Sequence, residues 1–138
     1  VHPFMSANFP RCPAWFNEGL ASLYEQSAER KGKIVGLTNW RLGGLQEAII
    51  NNDVPSFSEL MQTTEYAFYN EDPGTNYAQA RYLLYYLQEK GLLQKYYDQF
   101  TSSTDKTGYK TLMQVVKVDD MKAFQKEWEQ WVMKLTFP

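Results

Sequence analysis

The stretch from Tyr77 to Lys90 constrains the fold more than any other part of this chain, because it reads as its strongest helix. Asp72-Pro73-Gly74-Thr75-Asn76 forms a breaker and cap cluster in front of it, and Gly91 ends it, where a residue without Cβ turns the chain left-handed at little cost. A helix this rich in Tyr and Leu needs other helices to cover it. The neighbouring segments supply them.

Ala14 to Gln26 predicts a helix with Trp15, Leu20, Leu23 and Tyr24 near one face and Asn17, Glu18 and Ala21 on another. Glu29 to Lys33 reads as a polar turn and Ile34 to Leu37 as a short extended piece. Thr38 or Asn39 caps a helix carrying Leu45, Ile49 and Ile50, and Pro55-Ser56 opens a short one from Phe57 to Met61. Further helices are predicted from Leu92 to about Phe100 and from Tyr109 to Val116. The last starts at Asp119, with Phe124, Trp128, Trp131 and Leu135 as its apolar face and Lys122, Lys126, Glu127 and Glu129 as its solvated side. The expected fold is mainly α, about six helices around one core, in a single helical domain over residues 1–138. Val1 to about Ala7 reads as the tail of another helix, broken by Asn8, Pro10 and Pro13.

A hydrophobic content of 43% and an aromatic content of 16% supply enough apolar surface for a packed body and exclude a disordered chain. Fourteen basic against sixteen acidic residues, with no block of one sign, argue against a nucleic-acid partner. No apolar run approaches the ~20 residues of a membrane-spanning helix. The single cysteine, Cys12, excludes an internal disulfide and a thiolate zinc site.

The motif with chemical content is Trp15-Phe16-Asn17-Glu18-Gly19-Leu20-Ala21, preceded by the only histidine, His2. A histidine and a glutamate on two helix-like segments joined by a short break are two of the three protein ligands of a His, His, Glu zinc site. Gly19 beside the glutamate suits a close approach of two helices. Elsewhere on a surface helix, alanine would be better by about 0.5 to 1 kcal/mol.

These residues resemble the gluzincin metallopeptidases, most nearly the bacterial peptidase MA-like proteins, with a local likeness to the zinc aminopeptidases. Val1-His2 matches the end of H-E-x-x-H, Trp15 to Ala21 matches the helix that brings the third ligand, and Tyr77-Ala78-Gln79-Ala80-Arg81-Tyr82-Leu83 matches a helix start bearing a tyrosine. The resemblance implies a helical C-terminal subdomain of such an enzyme, with residues 1–26 a remnant of the zinc-site helices and residues 27–138 the helical body. It implies zinc as cofactor with His2 and Glu18 as ligands, Asn17 as an amide supporting the site and Tyr77 as the hydroxyl that stabilises the oxyanion. Arg81, one turn after Tyr77 on the same face, is placed either to hold the substrate's carboxyl end or to pair with Glu71 or Asp72. Tyr66 and Tyr69 compete for the role of Tyr77. The partners implied are a peptide or protein substrate and the upstream part of the same polypeptide, which would bring the other histidine and the general base. Alone, the chain is then expected to hydrolyse no peptide and to hold no catalytic zinc tightly.

Two plainer readings stand beside this one. Glu18 is also a common helix-terminal carboxylate, and Tyr77 to Tyr86 is also an ordinary aromatic core stripe. On those terms the chain is a helical interaction or scaffold module. Pro3, which lacks an N–H next to His2, also suits a degenerate, non-catalytic member of the family.

Overall fold

The computed structural model describes residues 12–25, 27–30 and 33–137. The protein is mainly helical, with eight helices among the described residues: α1 (Ala14–Glu25), α2 (Arg41–Ile50), α3 (Phe57–Gln62), α4 (Glu65–Asn70), α5 (Pro73–Glu89), α6 (Leu93–Thr101), α7 (Tyr109–Val116) and α8 (Met121–Met133). Between α1 and α2 lies an antiparallel ribbon, β1 (Ser27–Arg30) against β2 (Lys33–Gly36), in which Ala28 pairs with Val35 and Glu29 with Ile34.

Helix α5 is the axis of the molecule. Every residue from Ala78 to Leu84 is buried, as is Leu87, so it has no solvent face through its middle. A helix closed on all sides must be covered on all sides. α1 lies along it more extensively than any other element, and α2, α4, α6, α8 and the ribbon complete the cover. The core runs through all eight helices and includes Trp15, Phe16, Leu20 and Leu23 of α1. Each such side chain contributes roughly 1.5–3 kcal/mol by leaving water. α1 therefore shares one core with the helices from α2 to α8.

The caps explain several boundaries. α5 starts four positions before the expected Tyr77, at Pro73, because proline is suited to the first helical position once Asp72, at φ 48°, has turned the chain. Ser56 and Glu59 form a reciprocal capping box on α3. Asn39 accepts from the Arg41 amide at 3.0 Å and so starts α2. On α8 it is Asp120, not Asp119, whose side chain takes the free amides of Lys122 and Ala123, both at 3.1 Å. The expected polar turn at Glu29 to Lys33 is narrower than that, since Glu29, Arg30 and Lys33 belong to the paired strands. The helix not foreseen is α4, capped by Thr64 accepting from the Ala67 amide at 3.1 Å.

Long-range polar bonds fix the frame. The Trp15 indole donates to the Thr107 carbonyl at 2.8 Å and the Tyr96 hydroxyl to the Gly108 carbonyl at 2.9 Å. Gly108 stands at φ 87°, and a Cβ there would lie 2.2 Å from the Tyr96 hydroxyl. Neither the conformation nor the space admits another residue. No helix among the described residues is long and apolar enough to cross a membrane.

Candidate functional site

Glu18 sits in the second turn of α1, on the half-buried face with Asn17 and Ala21, while Trp15, Phe16, Leu20 and Leu23 point inward. No acidic residue occupies the first turn of α1, so Glu18 is beyond the free amides that a capping carboxylate would serve. Its Oε2 instead accepts a 2.7 Å hydrogen bond from the hydroxyl of Tyr69, fifty-one positions along the chain. Burial first, then the hydrogen bond to Glu18 and that carboxylate's charge, hold the Tyr69 phenol well above its ordinary pKa. Tyr69 thus stays neutral and serves as a hydrogen-bond donor.

Tyr69 is placed by the way α4 is held. Phe68 is fully buried and meets the Tyr77 ring edge-on at 5.2 Å, and Asn76 donates to the carbonyls of Phe68 at 3.1 Å and Glu71 at 2.7 Å. These bonds satisfy carbonyls that the end of a short helix leaves without partners. The Tyr69 ring then lies 6.3 Å from that of Tyr77. Tyr66, the other competitor, is 72% exposed on the same helix. Of the three tyrosines considered, the one bonded to Glu18 is Tyr69, with Tyr77 packed against Tyr69 and Phe68.

Arg81 does not stand where a substrate carboxylate would find it. It is 0% exposed, and its guanidinium donates to the Leu37 carbonyl and, at 3.4 Å, to Ser22. The position one turn after Tyr77 faces inward because α5 is enclosed there. Arg81 joins α1, α5 and the segment after the ribbon. Among the described residues it also forms no salt bridge with Glu71 or Asp72.

Asn17 donates to the Cys12 carbonyl at 3.1 Å, while its Oδ1 is buried with no hydrogen-bond partner. A buried amide oxygen of this kind is an acceptor left for another group. Gly19 makes the close approach that its composition suggested, and the partner is α5: a Cβ on Gly19 would lie 3.0 Å from Ala80 Cβ. The pair brings the helix of Glu18 onto the helix of Tyr77.

His2 lies outside the described residues. Among the described residues no group of three or more His, Cys, Asp or Glu is arranged to hold a metal ion. A catalytic zinc needs three protein ligands. The described residues do not by themselves fit that metal.

What reasoning from sequence missed here is the position of α4 and the cation that adjoins Tyr77. The guanidinium carbon of Arg41 lies 5.0 Å from the centre of the Tyr77 ring and 4.3 Å from that of Trp40. Thr64-Glu65 ahead of Phe68 and Tyr69 is a cap followed by a first-turn acid, a signal that announces α4. No family model, curated protein or solved structure gives a significant match to this chain.

Proposed function

We propose that this chain carries the glutamate-bearing half of a zinc-dependent peptidase-like site acting in peptide-bond hydrolysis, with Glu18 as a ligand and His2 and residues upstream of Val1 completing the set. The observation that supports it most is the Glu18 carboxylate accepting from the Tyr69 hydroxyl at 2.7 Å, at a place open to solvent. A carboxylate and a neutral phenol side by side are a ligand and a donor able to face the same reacting carbonyl. Zinc, when bound, supplies polarisation of that carbonyl and acidification of a water. Within this chain Tyr69 takes the donor role first given to Tyr77, and the Tyr77 ring orients it. Asn17, with its buried Oδ1 unpaired, stands ready to accept from a neighbouring ligand.

The test is zinc titration by calorimetry, together with cleavage of a generic peptide, in the 138-residue chain and in a polypeptide extended upstream along its natural sequence. The short chain is expected to bind zinc no tighter than micromolar and to cleave nothing. The extended one is expected to bind zinc and to lose that binding in Glu18→Gln. Zinc affinity in the extended polypeptide that is indifferent to Glu18→Gln refutes the reading.

One observation favours a second reading, a non-catalytic helical module or degenerate pseudo-peptidase. The Glu18–Tyr69 bond also joins α1 to α4, which a purely structural pair would do. The same titration separates the two, since that module takes no zinc in either length.

A further inference from the structure

Between the starts of α2 and α5 lies an open cleft of about 380 Å³, lined by Trp40, Arg41, Leu45, Asp72, Thr75 and Ala78 among others. Its cation is unusual. The Arg41 backbone is fixed by Asn39, and its guanidinium lies against the Trp40 and Tyr77 rings. Among the described residues that guanidinium makes no hydrogen bond and no ion pair, and its Nε is buried without a partner. Buried guanidinium N–H groups are ordinarily paired, and leaving one unpaired costs stability. Rings that hold the guanidinium plane in place lower the entropy lost when a planar anion docks on its edge.

We propose that this cleft binds a carboxylate of a peptide ligand through Arg41, with Trp40, Leu45 and Ala78 contacting the adjoining apolar group. Several features select this chemistry. Among the described residues Arg41 is the only basic one lining the cleft and Asp72 lines it too, so the local charge suits a monoanion better than a dianion such as phosphate. The flat fork of a guanidinium matches a carboxylate through two parallel bonds. Trp40 is 66% exposed at the same cleft, a large apolar surface without cover. The Arg41 guanidinium also touches the Tyr77 ring, which packs on Tyr69, the partner of Glu18. The inference deepens the proposed peptidase-like function and rests on its peptide-binding part, not on the metal.

The test is a titration of the ¹⁵N-labelled 138-residue chain in the presence of a chelator, following the Arg41 Nε–H resonance, which Arg41→Lys identifies by deleting it. The tripeptide Ala-Ala-Leu with a free carboxylate is expected to shift that resonance saturably at millimolar concentration. Its C-terminal amide is expected to bind about tenfold more weakly or worse. An acetylated, amidated peptide with a central glutamate separates the sources of the carboxylate: binding equal to that of Ala-Ala-Leu assigns a side chain, weaker binding assigns the chain terminus. In Arg41→Lys, which keeps the charge and loses the fork, the amides of Gly74 and Thr75 report the affinity, again expected to fall about tenfold. No saturable shift, equal binding of the amide, or full affinity in a folded Arg41→Lys overturns the proposal. Carboxylate binding here, with no zinc binding in the upstream-extended polypeptide, leaves this subsite standing and removes the metal reading, and zinc binding there without carboxylate binding here does the reverse.

Discussion

Replacing Gly19 by alanine places a methyl carbon 3.0 Å from Ala80 Cβ and 3.1 Å from both the carbonyl carbon and the carbonyl oxygen of Ala80. Intrinsic helix propensity favours the alanine by about 0.8–1.0 kcal/mol. Against this stands overpacking, which costs about 1–3 kcal/mol when the obstructing atoms cannot retreat. Here two of the three are main-chain atoms of α5, enclosed on every side, so overpacking prevails. The expected result is a net loss of about 1 kcal/mol, within a range that reaches about 2, read as a lower urea midpoint by far-ultraviolet circular dichroism with the slope unchanged. Gly44→Ala is the matched control: it lies within α2 and its new Cβ meets nothing within 4 Å, so propensity acts alone and the midpoint rises. Adding Ala80→Gly to Gly19→Ala removes the Cβ contact and leaves both backbone contacts, so it does not restore the parent stability. Gly19→Ala as stable as the parent, with Gly44→Ala behaving as stated, refutes the close approach of α1 and α5.

Tyr69→Phe and Glu18→Gln are expected to couple by about 1 kcal/mol in a double-mutant cycle of urea midpoints, and additive effects would show that their bond contributes nothing. Asp105 is pushed up by burial, but hydrogen bonds from the Thr111 amide and hydroxyl, with those of Gly108 and Thr107, outweigh this and lower its pKa. Its stabilisation is therefore complete above the unfolded value of about 3.9 and is lost as pH falls through the lower folded value. Asp105→Asn is expected to cost about 2 kcal/mol at neutral pH, with the gap to the parent closing in acid. A gap of the same size at about pH 3 and about pH 7 would contradict this.

Most helices were legible because each rests on local signals: an apolar period, a cap, a breaker. α3 was found through Pro55-Ser56 and α5 through its flanking breakers, although its start was misplaced because proline was read as a stop rather than a first residue. α4 was hidden by its brevity, six residues being too few to show a period. For the site, the open face bearing Asn17 and Glu18 was readable from helical geometry. That Tyr69 rather than Tyr77 carries the hydroxyl on Glu18 was not, since the pair is made by tertiary packing. Arg81 misled for a related reason. Charge suggests water, and only the enclosure of α5 reveals that its partner is a backbone carbonyl.

The bond from Trp15 to Thr107 spans ninety-two positions, and it bears on when the site comes into being. Closing so long a loop is entropically unfavourable until many other contacts are in place, so α1 gains its final seat late. During synthesis Glu18 emerges long before Tyr69, and longer still before the loop that clasps Trp15. The carboxylate has no Tyr69 to accept from until α4 has emerged, and α1 has no α5 to lie along until the chain is past its midpoint.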